Sequence, residues 1–373
     1  MSDPCITDGC KIGIAGAGSI AFGTAALLVK NGHDPMLWSP SGLSTQVLSE
    51  GPLVATGAIE ASFEPRVAEG AEQLVAQNDA LVICVPGYGH KAVLDAIAPH
   101  IRDGQHVIIS SHASLGAVYL MQLLAARGVS APITAWGTTA VTGRRGEGAS
   151  VKVNTVRAKV DLCTVPETRS DCARTVCTRL FGDVFVPRDG LLAISLSNLN
   201  PQNHLGIALG NITRMERGET WSQGQNVTPK VGALLEALDL ERLAIAEALG
   251  LKTKTIFEHF HLSFHVPIAS ISEMNQQMHA QGNGGTGPAT ADSRYVTEDV
   301  PYGLQLTAVL GRLVGRAAPL HEAGITMFSA MYGRDFAAEN DILNALDLDR
   351  FSLDDLKQAA RTGLLQKTPE HAS

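Results

Sequence analysis

Apolar residues in the first half of the chain fall into short β-branched runs separated by stretches of helical spacing. The runs at 11–15, 35–38, 80–85 and 106–110 read as strands, and the last two are apolar enough for burial on both faces. Helices are expected at 19–31, 71–76, 91–101 and 115–127. Alternation of this kind predicts a parallel sheet with helices on both faces. Further runs at 133–138, 151–153, 159–165 and 184–187 extend that sheet with mixed strand directions.

Beyond Gly190 the texture changes. Apolar residues at i, i+3 and i+4 predict helices at 206–217, 231–249, 253–262, 305–315 and 320–331, with few strand signals between them. The expected architecture is a doubly wound α/β sheet over residues 1–189, followed by an all-α domain over 190–373. The Gly-rich segment 281–292 reads as a flexible loop, the end at 366–373 as frayed, and no internal repeat is present.

Composition narrows the function. At 373 residues the chain exceeds one ordinary core, so two domains are the default. An apolar share of 45% with 18% charged residues describes a globular protein. A net charge of −8 without a basic block argues against nucleic acid as a partner, yet leaves room for an anionic cofactor held by backbone groups. No apolar run approaches the roughly 20 residues that cross a bilayer, so no membrane partner is expected. The N-terminus, with Asp3 and Asp8, lacks the form of a secretory leader. The cysteines Cys5, Cys10, Cys84, Cys163, Cys172 and Cys177 are scattered without a C-x-x-C, which fits reduced thiols in a cytoplasmic protein; Cys84 lies inside a strand pattern.

The strand at 11–15 leads into Gly16-Ala17-Gly18-Ser19-Ile20-Ala21 and then a helix. This is the G-x-G-x-x-A form of the dinucleotide fingerprint in its strand–turn–helix context. Gly16 allows the tight turn, Gly18 lets a pyrophosphate approach the backbone, and Ala21 permits close helix–strand packing. All six residues, Gly16 to Ala21, are cofactor-binding candidates of a Rossmann-type domain. An NAD site places an acid at the end of the second strand. Here that tip reads Leu37-Trp38-Ser39-Pro40-Ser41, and Asp34 precedes the strand. Ser39 and Ser41 are candidates for a 2′-phosphate, with turn chemistry at Pro40 as the plain alternative. No Arg follows at once. The pattern favours NADP(H) over NAD(H). Val85, Pro86 and Gly87 open a small-residue loop, 85–89, at the sheet's carboxyl edge. That loop either meets the nicotinamide-side ribose or is a plain turn.

Two polar clusters sit beside apolar helical sequence in the second half, where unpartnered polar groups are costly. The first is Asn198-Leu199-Asn200-Pro201-Gln202-Asn203-His204. Asn200-Pro201 reads as an N-cap followed by Pro at the first helical position, which puts His204 in the first turn. Alone, such a His is more often a hydrogen-bonded core residue than a base. The second cluster is Arg294-Tyr295-Val296-Thr297-Glu298-Asp299-Val300-Pro301-Tyr302-Gly303. Asp299 is a candidate helix cap or an orienting carboxylate. Its spacing from Arg294 matches one face of neither helix nor strand, so a loop-to-helix turn is needed to bring both to one site.

Taken with the fingerprint, these clusters resemble the opine dehydrogenase family, which includes octopine and nopaline dehydrogenases. The likeness runs from G-x-G-x-x-A through N-P-x-x-H to R-Y-x-T-E-D-x-P-Y-G and so spans most of the chain. The resemblance implies that His204 and Asp299 form the catalytic pair and that Arg294 binds the carboxylate of a 2-oxo acid. Asn198 and Asn200 would be polar partners to substrate or cofactor. The implied reaction condenses a 2-oxo acid with the amine of an amino acid, and NAD(P)H reduces the imine to a secondary-amine dicarboxylate. The missing acid after the second strand departs from the pattern and leaves NAD or NADP open.

Other readings are a hydroxy-acid or sugar-acid dehydrogenase of the same plan and a non-catalytic NADP-binding sensor. The former commonly uses a Lys, and none lies within 198–214. A sensor needs no His204, Arg294 and Asp299 together. His259, His261 and His265 lack a completing ligand set, and hydride transfer from a nicotinamide needs no metal, so none is expected. Arg144 and Arg145 read as a solvated loop pair or as a second anion contact for the amino acid. Tyr302 and Gly303 read as helix packing. The helical domain allows a homodimer without requiring one.

Overall fold

The computed structural model describes residues 9–367; Asp3, Cys5, Asp8 and the tail from 368 onward lie outside the described residues. The chain opens with β1 (Lys11–Ala15), α1 (Ser19–Lys30), β2 (Asp34–Trp38), β3 (Leu53–Gly57), β4 (Ala61–Phe63) and β5 (Arg66–Val67). It continues through α2 (Ala71–Ala76), β6 (Ala80–Ile83), α3 (Gly87–Ile97), β7 (His106–Ile109), α4 (Gly116–Ala125) and β8 (Ile133–Trp136). Then follow β9 (Val141–Arg145), β10 (Ser150–Val156), β11 (Val160–Val165), α5 (Ser170–Phe181) and β12 (Phe185–Pro187).

The main sheet has eight strands in the order β12-β11-β8-β7-β6-β1-β2-β5. It is parallel from β8 to β5, while β11 runs antiparallel to β8. Every residue of β6, β7 and β8 is buried, as expected for runs covered on both faces. The run at 151–153 does not extend this sheet. It belongs to β10, in a separate four-stranded sheet ordered β4-β3-β10-β9. Its sequence tells why: Val151 and Val153 are buried while Lys152 and Asn154 face out. That period-two pattern marks a sheet with only one face covered. Helix α1 lies between the two sheets, and Ala21 to Leu28 are all buried without a polar face. A Cβ at Gly23 would stand 3.0 Å from Val141 of the smaller sheet.

Helices follow: α6 (Gly190–Ser197), α7 (Asn200–Glu216), α8 (Pro229–Ala248), α9 (Ile256–Phe264), α10 (Ile271–Ala280), α11 (Arg294–Thr297), α12 (Gln305–Leu313), α13 (Pro319–Tyr332), α14 (Asp341–Leu346) and α15 (Leu353–Thr362). The helical unit is Leu196–Asp349, with a core that includes Leu205, Leu235, Ile256, Met274, Val300 and Phe328. This differs from the span 190–373 expected from sequence. The division falls within α6, and the segment after Asp349 returns to the sheet unit. There Arg361 on α15 pairs with Glu167 at 2.9 Å and Asp189 at 2.6 Å, and Gln122 Nε2 donates to the Leu365 carbonyl at 3.2 Å. An amphipathic helix advertises a buried face but not its partner. No described helix is long and apolar enough to cross a membrane.

Candidate active site

The fingerprint turn is built as a phosphate cradle. Gly16 has φ +140°, and a Cβ there would strike the Cys84 carbonyl. Its N–H donates to the Trp38 carbonyl at 2.7 Å, tying the turn to the end of β2. Gly18 is the N-cap of α1, and a Cβ there would meet nothing within 4 Å. That open approach to a helix N-terminus fits a diphosphate. Ala17 and Ala21 are buried beneath the turn, with Ser19 and Ile20 partly exposed.

At the β2 tip, the Ser39 carbonyl accepts from Gly42 N–H at 3.0 Å, so a tight turn does form. Ser41 is exposed, while the Ser39 hydroxyl is buried without a hydrogen-bond partner. Asp34 cannot serve the ribose from its place at the opposite end of β2, where it pairs with Arg66 at 2.9 Å. The expected 85–89 loop is shorter in the fold. Pro86 caps α3, and Gly87 is its first residue. His90 Nε2 donates to the Val85 carbonyl at 3.1 Å, and burial pushes this imidazole down to about 4, so it is neutral near pH 7. Arg145 is exposed, but on a strand rather than a loop. It lies on β9, donates from Nη1 to the Ala17 carbonyl at 2.6 Å and sits 4.2 Å over the Phe22 ring.

In the helical unit, α7 starts at the expected cap, one residue earlier than expected. Leu199 is the N-cap, Asn200 is the first helical residue, and the Asn198 Oδ1 accepts from Asn200 N–H at 3.1 Å. His204 therefore lies in the second turn. Its Nδ1–H donates to Asp299 Oδ2 at 2.7 Å, with side chains 13% and 8% exposed. Asp299 stands where a cap would, yet makes no capping bond. The Tyr295 ring stacks on the imidazole with centroids 3.5 Å apart and planes at 10°, and its hydroxyl donates to Gln223 at 2.6 Å. Burial pushes the Tyr295 phenol up to about 12, so it stays protonated.

Contacts around the start of α7 hold the helix that carries His204. Gln202 Nε2 donates to Asp239 at 2.9 Å, and Arg242 donates to the same carboxylate from Nε at 2.9 Å and Nη2 at 2.7 Å. Arg242 also reaches the Leu196 carbonyl at 2.6 Å, so this buried charge pair clamps the start of α7. Gly303 presses on Pro201, where a Cβ would collide with the proline ring. The segment expected as a loop-to-helix turn is instead α11 followed by a π-helical turn, Val300–Leu304, that runs into α12. Arg294 opens α11, 60% exposed, with Nε 3.5 Å from Glu298. Tyr302 packs as expected, its hydroxyl donating to the Glu339 carbonyl at 3.2 Å.

The 281–292 segment is pinned rather than loose. Gly224 N–H donates to the Gly284 carbonyl at 2.8 Å, Trp221 Nε1 to the Pro288 carbonyl at 2.9 Å, and the Tyr332 hydroxyl to the Ala291 carbonyl at 2.6 Å. Among the described residues no His, Cys, Asp and Glu group could hold a metal, and His261 donates to the Val266 carbonyl at 2.8 Å. Tyr295 and Gln202 stood inside the two clusters without a role assigned to them, and Gln223, Asp239 and Arg242 escaped the sequence reading altogether.

Residues 187–332 match the family model described as NAD/NADP octopine/nopaline dehydrogenase, alpha-helical domain, and residues 12–156 match ketopantoate reductase PanE/ApbA. The chain is 28% identical over 357 residues to an opine dehydrogenase of Arthrobacter sp. (strain 1C), covering 93% of this chain and 97% of the relative. It is 23% identical over 347 residues to protein ocs of Agrobacterium tumefaciens (strain Ach5), covering 91% and 96%. Among solved structures, octopine dehydrogenase with NADH and L-arginine superposes with a TM-score of 0.74 at 16% identity over 87% of this chain and 90% of that one. Yersinopine dehydrogenase with NADP+ gives 0.68 at 16% identity over 95% and 98%. A sheet domain followed by a unit that matches the helical domain of octopine/nopaline dehydrogenases, with likeness to curated opine dehydrogenases along nearly the whole chain, is what this protein shares with that family.

Proposed function

We propose that the protein is an NAD(P)H-dependent dehydrogenase that joins a 2-oxo acid such as pyruvate to the amine of an amino acid, and that also runs the reverse oxidation. The observation that carries this reading is the His204–Asp299 pair, held at 2.7 Å under the Tyr295 ring. The amine attacks the keto carbon, the oxygen leaves as water, and the resulting C=N bond is reduced. The nicotinamide, when bound, supplies the hydride.

His204 acts through Nε2, because Nδ1–H is committed to Asp299. As imidazolium it protonates the departing oxygen; in the reverse direction it withdraws that proton. Asp299 fixes the tautomer and stabilises the charged ring. Tyr295 holds the ring plane. Arg294 grips the oxo-acid carboxylate: Glu298 engages Nε, which leaves both Nη groups for a bidentate contact. Asn198, through its amide nitrogen, and Asn200 are further polar partners for the substrate.

Gly16 to Ala21 cradle the diphosphate, and Val85 to Gly87 face the nicotinamide side. We favour NADP(H), on the β2 tip that offers Ser39 and Ser41 and no acid. Buried thiols at Cys84, Cys163 and Cys177 suit a cytoplasmic enzyme. The test is oxidation of NADPH and of NADH with pyruvate and a panel of amino acids. Turnover that needs both the oxo acid and an amine supports the reading. Reduction of an oxo acid alone, or coenzyme binding without turnover, would replace it with a hydroxy-acid dehydrogenase or a sensor.

A further inference from the structure

We infer that Arg145 is the guanidinium that reads the 2′-phosphate of NADP(H), supplying from the smaller sheet the positive charge that the β2 tip lacks. The inference rests on the dinucleotide reading of the fingerprint turn and deepens it.

The placement is specific. Arg145 ends β9, and its Nη1 donates to the carbonyl of Ala17, the middle residue of Gly16-Ala17-Gly18, at 2.6 Å. Its Nη2 donates to the Gly148 carbonyl at 3.0 Å, and the guanidinium plane rests 4.2 Å over Phe22 on α1. A guanidinium has five N–H groups, so Nε and one hydrogen on each Nη remain for an anion. The side chain is thus pre-oriented by two carbonyls and a ring, and none of these partners is a carboxylate that would neutralise it. Partial desolvation against the turn disfavours its charge even though the side chain stays exposed, and an incoming phosphate would offset this.

The adjacent turn belongs to β2. Gly16 N–H bonds the Trp38 carbonyl at 2.7 Å, which sets Ala17 beside the Ser39 end of that strand. There the Ser39 hydroxyl is buried and lacks a partner. Asp34, the acid nearest in sequence, is spent on Arg66. An NAD site would put a carboxylate here to bind the ribose hydroxyls and repel a 2′-phosphate. This chain instead has a hydroxyl and, across the fingerprint turn, an arginine. The second sheet is what makes that possible, because β9 delivers Arg145 to the N-terminal end of α1 from a position more than a hundred residues away in sequence.

The decisive experiment titrates the full chain and Arg145→Gln with NADPH and NADH by coenzyme fluorescence. Loss of a charge-assisted contact should raise the NADPH Kd about tenfold to a hundredfold while the NADH Kd moves by less than about threefold. A parallel weakening of both would assign Arg145 to the shared diphosphate, and no change in either would remove it from the site; both results overturn the inference. Competition by 2′-AMP and 5′-AMP against bound NADPH in the wild-type chain is independent of whether the variant folds. The 2′ isomer should compete at least about tenfold better, and equal competition also refutes the assignment. If the wild-type chain prefers neither coenzyme yet condenses pyruvate with an amino acid, the Arg145 assignment falls and the dehydrogenase reading stands. If neither coenzyme binds, both fall.

Discussion

Replacing Asp299 with Asn tests the catalytic pair almost without disturbing its shape. The wild-type bond is 2.7 Å long between side chains 13% and 8% exposed, so water screens it little. A hydrogen bond to a charged group in such a place contributes about 1.5–3 kcal/mol. If that energy is expressed while the imidazole carries its proton, its loss lowers kcat by about 10- to 150-fold. The amide can also turn its NH2 toward Nδ1, which moves the ring hydrogen to Nε2 and blocks that atom as a base. The assay is steady-state oxidation of NADPH with saturating pyruvate and amine, with coenzyme Kd and Tm as controls. NADPH affinity should hold within about twofold, and Tm should hold because Asn fits the space. His204→Ala should lose at least as much kcat, at least about a hundredfold. An Asp299→Asn enzyme with wild-type kcat would refute the dyad. A cap role is tested separately by Asp299→Ala, since Asn caps as well as Asp whereas Ala costs about 1 kcal/mol of stability.

Arg294→Lys keeps the charge but loses the planar fork, so KM for the oxo acid should rise about tenfold while KM for the amino acid changes less; the reverse pattern would hand Arg294 to the amine substrate. Gly18→Val should abolish the fluorescence change on adding either coenzyme, with Tm shifted by no more than about 2 °C, because the new side chain enters open space at an ordinary backbone angle (φ −86°). Retained coenzyme affinity in that variant would place the diphosphate elsewhere.

How much of this was legible depended on whether the signal was local. The parallel sheet was, because β6, β7 and β8 are buried on both faces and leave continuous apolar runs. The fingerprint was, because one turn needs glycine where the Cys84 carbonyl approaches. His204 and Asp299 were visible as residue types, but nothing in a separation of 95 positions encodes their 2.7 Å contact. The smaller sheet was missed because β3 and β4 sit inside the β2–β5 connection and pair across a gap with β9 and β10. Without that sheet Arg145 could be named as an anion-contact candidate but not placed beside the fingerprint turn. Segment 281–292 misled for a different reason: glycine marks close approach as readily as freedom. Gly287 is required because the Trp221 ring lies where its Cβ would be, and that contact anchors the segment.

The π-helical turn at Val300–Leu304 carries a consequence for how the enzyme can vary. One residue advances an α-helix by about 100°, so the wider turn acts as a phase shifter within an otherwise regular rod. Upstream, Val296 faces the core while Asp299 meets His204; downstream, Leu306 and Leu310 face the core again. Deleting a single residue here would rotate what precedes it by about 100° relative to α12 and swing the carboxylate away from the imidazole, while Pro301, which has no N–H, would still interrupt the backbone ladder. Along this stretch the contact between Asp299 and His204 depends on one amino acid of length.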